Sequence, residues 1–165
     1  MLVRDVMTTP VIRVRLGAKV CEALRVMVEH KVDGVPVVDD RNHVQGVLTY
    51  ADLLRRGRRQ HPRALDFFMF AVVLEEEDQE VYARLKRILD LPVEQVATRE
   101  VISCSPGDHL ADVAGVMVDN GIKRMPVVAE NGSLVGILSR GDLMRALYAQ
   151  FERDTQPEDD AESEA

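Results

Sequence analysis

The spacing of hydrophobic positions in the first third of the chain alternates between the periods typical of strands and helices. β-Branched residues cluster over Val11–Val14, and apolar residues then recur three and four apart over Lys19–Lys31, which predicts an amphipathic helix. Two further apolar runs, Val35–Val38 and Val44–Leu48, flank a polar turn, and helical spacing returns over Tyr50–Arg56. The pattern therefore predicts a strand–helix–strand–strand–helix unit.

The same pattern occurs twice. Shifted by 90 residues, Val3–Arg56 aligns without a gap with Val93–Ala146, and 17 of the 54 aligned positions are identical. Most identities are apolar residues, glycine or proline, as expected when a packed unit is duplicated, and such a repeat decides the fold before any single motif does. The second copy predicts its elements in the same order at Val101–Cys104, Ala111–Asn120, Met125–Ala129, Leu134–Leu138 and Arg140–Gln150.

Each unit is too short to cover both faces of its own sheet. Two copies are therefore expected to bury their open faces against each other. This predicts a fold of the α/β (α+β) class, with two β-α-β-β-α repeats packed sheet to sheet about a pseudo-twofold axis. The expected boundaries are 1–56 for the first repeat, 57–92 for a helical insert, 93–150 for the second repeat and 151–165 for a tail.

The insert has no counterpart after the second repeat. Ala64–Leu74 is nearly all apolar and holds Phe67, Phe68 and Phe70, and Glu80–Leu89 carries apolar residues on one face, so a helical hairpin is predicted. It either caps the module or forms the interface of a homodimer. An apolar helix without a polar face needs more than one partner surface, which favours the interface.

A run of arginines opens the insert, with five in the nine residues of Arg55–Arg63. These side chains could meet the carbonyls at a helix C-terminus, reach the phosphates of a ligand, or bind nucleic acid. Because no aromatic stacking residues are interleaved, nucleic-acid binding is the least favoured of the three.

Most of the negative charge lies at the C-terminus. The chain carries a formal charge of −7, and residues 152–165 contribute −6 of it through seven acids and one arginine. This segment has almost no apolar residues, so we expect a disordered, solubilising tail, with binding of a partner or autoinhibition as the alternative.

Two cysteines without a CxxC motif predict neither a disulfide framework nor a zinc site. The N-terminus has no signal-peptide pattern, and no apolar stretch approaches the roughly 20 residues of a membrane span. We therefore expect a reduced, cytoplasmic protein without membrane contact. The motifs of P-loop proteins, α/β-hydrolases and zinc proteases are also absent from the sequence, which argues against an enzyme.

Three features in each copy resemble a tandem pair of cystathionine-β-synthase (CBS) domains, the Bateman module. They are the opening that reads Val-Arg-Asp-Val-Met-Thr-Thr-Pro-Val-Ile in the first copy, the Val-Pro-Val-Val strand of the first copy with its Met-Pro-Val-Val counterpart, and a Gly-x-x-Thr/Ser-x-x-Asp-Leu stretch. The resemblance covers about Val3–Arg56 and Val93–Ala149. The second opening departs from the pattern at Ala97, Arg99 and Glu100.

The paired motif, Thr49-x-x-Asp52 and Ser139-x-x-Asp142, has two explanations. A hydroxyl followed three residues later by an acid caps a helix without any ligand. The motif nevertheless recurs after a glycine, Gly46 or Gly136, that lets a backbone or a ligand approach closely, and a helix N-terminus attracts phosphate. The resemblance implies that the hydroxyl meets a phosphate and that the carboxylate accepts both ribose hydroxyls of an adenosine ligand.

The resemblance also implies where the rest of such a ligand would lie. The segments that match those used for adenine contain Ile12, Val35 and Pro36 in the first repeat and Ile102, Met125 and Pro126 in the second, although ordinary core packing also explains them. Three cations of the second repeat, Lys123, Arg124 and Arg140, replace Asp33, Gly34 and Tyr50 and could oppose phosphates, unless they are simply solvated.

These observations predict a stand-alone regulatory module that requires no cofactor and is not an enzyme. Its expected ligand is AMP, ADP, ATP or S-adenosylmethionine, and its expected partners are a second copy and an unidentified effector protein. The alternatives are a ligand-free dimerisation module and, less favoured, a nucleic-acid-binding regulator.

Overall fold

The computed structural model of the chain describes residues 1–57, 83 and 86–155. The first repeat contains β1 (Val14–Arg15), α1 (Val20–Glu29), β2 (Gly34–Val38), β3 (Val44–Thr49) and α2 (Tyr50–Gly57). The second contains α3 (Leu110–Asp119), β4 (Arg124–Val128), β5 (Leu134–Ser139) and α4 (Arg140–Thr155), and a short 3-10 helix opens each repeat at Val3–Asp5 and Val93–Gln95. The mixed fold predicted from the repeat is confirmed, whereas most of the predicted helical hairpin lies outside the described residues.

The two repeats share one strand register. β2 pairs antiparallel with β3 and parallel with β1, and β4 pairs antiparallel with β5. Pro36 lies opposite Val47 and Pro126 lies opposite Ile137, so the pairing is the same after the shift of 90 residues.

The first strand of each repeat is shorter than predicted. Instead of Val11–Val14 and Val101–Cys104, β1 covers only Val14–Arg15, and the second repeat has a single bridge between Cys104 and Val127. The Cys104 amide donates to the Pro126 carbonyl at 3.1 Å and the Val128 amide donates to the Cys104 carbonyl at 2.9 Å.

Proline explains where this ladder stops. The next ladder hydrogen bond towards the N-terminus would join the Ile102 carbonyl to a backbone N–H of Pro126, which proline lacks. The strand register gives Pro36 the same position in the first repeat. The carbonyls of Ile12 and Ile102 therefore receive no ladder hydrogen bond, and no other donor to them is found among the described residues.

The packed cores do not follow the sequence repeats. Val93 and Val96 pack into the core of the first repeat, whereas Val3 packs into the core of the second, with Val6 and Met7 beside it. The Val3 amide donates to the Asp108 carbonyl at 3.0 Å, and the equivalent Val93 amide donates to the Ala18 carbonyl at 2.8 Å. The first residues of each repeat therefore pack into the core of the other repeat.

Contacts between the repeats reveal the predicted pseudo-twofold axis. Thr8 bridges Ile137 and the equivalent Thr98 bridges Val47, while His43 bridges Ser133, its own equivalent, and so lies beside the axis. A third cluster of buried residues fills the space between the sheets and consists of Val11, Val38, Leu134 and Ile137. The predicted sheet-to-sheet packing is confirmed.

Two glycines make room for the crossing segments. A Cβ at Gly46 would lie 3.1 Å from the carbonyl oxygen of Thr98, and one at Gly136 would lie 3.0 Å from Met7 Cγ. The packing accounts for close approach of the crossing segment at both glycines, through the Thr98 backbone at Gly46 and through the Met7 side chain at Gly136.

We predict that Gly46→Ala lowers the free energy of unfolding by about 1–3 kcal/mol, because the Thr98 carbonyl is fixed by its hydrogen bond to the Val47 amide. The matched control is Gly115→Ala in α3, where nothing lies within 4 Å of the new Cβ. That change should raise stability by about 0.5–1 kcal/mol through helix propensity. Urea denaturation measures both, and equal effects at the two sites would contradict the close approach.

The last helix is longer than predicted. We expected α4 to end at Gln150 and a disordered tail to begin at residue 151, but α4 continues through Thr155. The Thr155 hydroxyl donates to the Phe151 carbonyl at 2.7 Å, and the side-chain amide of Gln150 donates to the Asp154 carboxylate at 3.0 Å. These bonds, each spanning four residues, support one more helical turn, while residues 156–165 lie outside the described residues.

Across the described part of the chain, no helix combines the length and the apolar character that crossing a membrane requires.

Candidate functional site: two crossed carboxylates

The first carboxylate, Asp52, is buried at the start of α2 with 4% of its surface exposed. Its Oδ2 accepts from the backbone amide of Thr49 at 2.8 Å and from the Thr49 hydroxyl at 2.6 Å. Its Oδ1 accepts from the hydroxyl of Thr98, which belongs to the other repeat, at 2.9 Å.

The second carboxylate, Asp142, repeats this arrangement at the start of α4 with 3% exposure. Its Oδ2 accepts from the amide and hydroxyl of Ser139 at 2.7 and 2.6 Å, and its Oδ1 accepts from the Thr8 hydroxyl at 3.1 Å. An ion pair with Arg145, whose side chain is largely exposed, completes the set.

The capping explanation of the motif therefore accounts for one oxygen of each carboxylate. Each acid binds the backbone amide of the hydroxyl residue that precedes its helix, which is the capping-box geometry. Capping alone, however, does not explain why the second oxygen of each acid is held by the other repeat.

The two threonines that cross over were not singled out in the sequence. Thr8 and Thr98 are identical in the two repeats and follow the short 3-10 helices, and this identity was the available signal. Sequence reasoning missed them because the crossing depends on tertiary packing, and a local motif does not reveal which repeat it contacts.

We refer to the two places where a segment of one repeat crosses the sheet of the other as the two clefts. In the first cleft, the Thr8–Ile12 segment lies along β5, since Thr8 bridges Ile137 and Val11 packs against Leu134 and Ile137. This segment faces the end of β5 and the start of α4, where Asp142 lies. In the second cleft, Thr98 bridges Val47 of β3 near Asp52.

The apolar residues expected at the adenine end are differently placed. Val35 and Met125 are fully buried in the two cores, and Pro36 and Pro126 are also buried, so these four offer no free side chain to a ligand. Ile12 is half-buried and Ile102 is 39% exposed. Only these two isoleucines present an accessible side chain, next to the carbonyls that the prolines leave without a ladder bond.

The three expected cations are not gathered at one carboxylate. The Arg124 guanidinium forms an ion pair with Asp33 of the first repeat, whose carbonyl accepts from the Tyr50 amide at 3.2 Å. Arg124 therefore reaches the beginning of α2, on the side of Asp52. Arg140 is exposed and its Nε donates to the Ile122 carbonyl at 3.2 Å.

Lys123 is also exposed, and its carbonyl accepts from the Arg140 amide at 3.1 Å. Neither Lys123 nor Arg140 forms an ion pair within the described residues. Residues 58–63 of the arginine run Arg55–Arg63 lie outside the described residues.

A separate cavity of about 360 Å³ lies in the second repeat between α3 and the segment around Cys104, and Met125 contributes to its lining. Burial, with a smaller contribution from Asp108, raises the pKa of the Cys104 thiol to about 11. The thiol is therefore protonated at neutral pH and is a poor nucleophile. Among the described side chains, no group of three or more His, Cys, Asp or Glu is arranged to hold a metal ion.

Comparison with known proteins matches both repeats to one family. The sequence model of the CBS domain family matches residues 3–59 and 93–149. Protein MJ1426 of Methanocaldococcus jannaschii is 31% identical over 154 residues, which cover 89% of this chain and 91% of that protein.

Two solved structures extend the comparison. CBSX2, an Arabidopsis thaliana protein whose crystal structure was solved in complex with AMP, is 30% identical with a TM-score of 0.68, and the match covers 92% of this chain and 98% of that one. The CBS domain of a membrane protein from Sphaerobacter thermophilus is 30% identical with a TM-score of 0.69, over 88% of this chain and 86% of that one.

Proposed function

Because the chain belongs to the CBS domain family as a tandem pair of repeats, we propose that it binds an adenosine nucleotide in the clefts between the repeats and signals their occupancy to a partner protein. The observation that carries this proposal is the combination found in each cleft: a buried carboxylate at a helix start of one repeat, and an isoleucine carbonyl of the other repeat that accepts no hydrogen bond from the described residues. The complex of the similar protein CBSX2 with AMP supports it.

The two sides of each cleft suit the two ends of an adenosine nucleotide. The carbonyl of Ile12 or Ile102 accepts a hydrogen bond from the exocyclic amine of adenine, while the neighbouring side chain packs on the ring. Asp142 or Asp52 turns an oxygen towards the ribose hydroxyls, and the start of α4 or α2 meets the phosphate. Binding by Asp142 displaces Arg145, whose exposed side chain moves at little cost in free energy.

Signalling follows from the crossed hydrogen bonds. Since Oδ1 of each aspartate is held by a threonine of the other repeat, a ligand on that carboxylate changes the contact between repeats as well as its own cleft. Both repeats therefore respond to occupancy of either cleft. The module acts by binding rather than by catalysis, since the described residues of each cleft are a helix-capping carboxylate and a backbone carbonyl, and the buried Cys104 thiol is protonated.

A rival function is a ligand-free structural module, which the complete internal satisfaction of the helix caps favours. A thermal-shift screen with AMP, ADP, ATP and S-adenosylmethionine separates the two. A ligand at a hundredfold excess over its dissociation constant adds about 2.7 kcal/mol to stability, which corresponds to about 5–10 °C in melting temperature for a chain of this size.

Two analogues serve as matched controls for AMP. Inosine monophosphate lacks the exocyclic amine, and 2′-deoxy-AMP lacks one of the two ribose hydroxyls, so each should produce a smaller shift than AMP. No shift with any adenosine ligand at millimolar concentration would leave the structural module as the function.

A further inference from the structure

The cavity of the second repeat corresponds to a filled place in the first repeat. Its buried lining side chains are Cys104, Val113 and Met125. The shift of 90 residues gives their counterparts, which are Val14, Ala23 and Val35. These counterparts share one packed cluster with Ile88, which is only 8% exposed. In the first repeat, therefore, a side chain from outside the repeat completes the core around these residues.

Ile88 belongs to a short helical segment that runs just ahead of the second repeat. Residues 86–89 are helical, and the Leu91 amide donates to the Ile88 carbonyl at 3.1 Å in the turn that follows. Leu89 and Leu91 also pack against the core of the first repeat. The segment thus covers this core with two adjacent apolar residues and a third two positions later.

The chain enters the second repeat along the same path but without such a cover. The Leu110 amide donates to the Met1 carbonyl at 3.1 Å, and the equivalent Val20 amide donates to the Leu91 carbonyl at 2.9 Å. Met1 therefore takes the place of Leu91, although it is 49% exposed. Among the described residues, none takes the place of Ile88 in the core of the second repeat.

The missing cover leaves apolar surface open. Val116 in the cavity wall is 40% exposed, whereas the equivalent Val26 is half-buried. Leu110 is likewise half-buried, whereas the equivalent Val20 is fully buried. The cavity of about 360 Å³ lies within the size range of ligand pockets. A hollow that the homologous repeat covers with apolar side chains of a helical segment suits an occupant of the same kind.

We propose that a partner protein fills the cavity with a short helical segment. This segment carries apolar residues at the positions of Ile88, Leu89 and Leu91, and a lysine or arginine at the position of Asp90. The seat of residues 86–91 on the first repeat is the template for the apolar part. The proposal does not rest on nucleotide binding, because the cavity lining includes neither the carboxylates nor the isoleucines of the two clefts.

Charge at the rim of the cavity determines the residue expected at the position of Asp90. In the first repeat, the Lys19 ammonium lies 3.1 Å from the Asp90 carboxylate. The rim residues of the second repeat are Asp108, His109 and Asp112, which replace Ala18, Lys19 and Glu22. With histidine counted as neutral, the replacement changes the rim from no net charge to two negative charges. An acid would be repelled there, whereas a base is attracted.

Fluorescence anisotropy of a labelled peptide, measured without nucleotide, tests the apolar part. The lysine peptide has the sequence of residues 83–92 with Asp90→Lys, and we expect a dissociation constant of roughly 0.1–1 mM, because ordering a short helix opposes binding. Val116→Gln should weaken binding about tenfold, since it places an amide in the cavity wall. Val118→Gln is the matched control, because Val118 is 71% exposed on the same helix and does not line the cavity.

A second peptide tests the charge. The aspartate peptide, with the unchanged sequence of residues 83–92, should bind about two- to fivefold more weakly than the lysine peptide. Asp112→Lys gives the rim the net charge of the first repeat and should abolish this preference. Equal affinity of the wild type for both peptides would contradict the proposed basic residue.

Amide chemical shifts locate the bound lysine peptide. They should change over residues 103–116 and not over residues 13–26. The reverse would show that the peptide displaces the chain's own segment from the first repeat, and it would overturn the proposal. So would no binding at about 1 mM, the upper end of the expected range, or binding that Val116→Gln leaves unchanged. A free Val116→Gln chain that melts at a lower temperature than both the wild type and Val118→Gln would show that the chain itself covers the cavity, which would also overturn it.

Discussion

Replacing Val3 with alanine is expected to loosen the second repeat, although Val3 belongs to the first repeat in sequence. Val3 is fully buried in the core formed around Met117, Met125 and Leu138. Removing two buried methyl groups costs about 2 kcal/mol in transfer and cavity terms. The equivalent change, Val93→Ala, should act on the first repeat, because Val93 packs beside Met27 and Leu48.

Amide hydrogen exchange resolves which repeat is affected. In Val3→Ala, amides of β4 and β5 should exchange about thirtyfold faster, as 2 kcal/mol implies, while those of β2 and β3 change less. Val93→Ala should show the reverse. Val28→Ala is the control, because Val28 is 62% exposed on α1 and its truncation should change stability by less than about 0.5 kcal/mol. Faster exchange in β2 and β3 of Val3→Ala would contradict the crossed packing.

The sequence predicted the elements of this fold well because each carries its own local signal. The apolar spacing of α1 and the turn between β2 and β3 are properties of short segments, and the repetition after 90 residues is visible directly in the sequence. All three recur in the structure. The boundaries of the first strands were missed, although the signal was present. Pro36 and Pro126 are accommodated within β2 and β4, and their larger effect falls on the neighbouring strand, whose Ile12 and Ile102 carbonyls lack a ladder donor.

The exchange of segments between repeats could not be read from the sequence. The apolar residues at Val3 and Val93 are equally suited to either core, since the two cores are homologous and present similar surfaces. Only the length and path of the chain decide between them. The same ambiguity applies to Thr8 and Thr98, so the motif identified the carboxylates but not the partners that hold them.

The site residues divide in the same way. Thr49, Asp52, Ser139 and Asp142 lie where a helix-start motif would place them, because the cap is local. Val35 and Met125 proved to be core residues, and Arg124 is held by Asp33 across the repeats. Because both repeats contribute to each cleft, the charged residues of one repeat in the sequence do not predict which charges face which cleft.

Replacing Asp142 with asparagine is expected to weaken ADP binding by roughly ten- to a hundredfold, the second large effect that we predict. Asparagine keeps the shape of the side chain and can retain the network, since its oxygen accepts from Ser139 and its amide donates to the Thr8 hydroxyl. It cannot accept hydrogen bonds on both sides as the carboxylate does. The loss of a charge-assisted bond to ribose, about 1.5–3 kcal/mol, sets the size of the effect.

The matched variant, Asp52→Asn, should cost less ADP affinity. Among the described side chains, Arg124 reaches the side of Asp52 and is already ion-paired with Asp33, whereas Arg140 beside Asp142 forms no ion pair. The Asp142 cleft should therefore hold a second phosphate more tightly and account for most of the measured binding. Calorimetry with ADP and AMP on both variants decides the matter. Equal affinity of the wild type for ADP and AMP would show that Arg140 does not contact the second phosphate. Unchanged binding in both variants would show that the two carboxylates act only as helix caps.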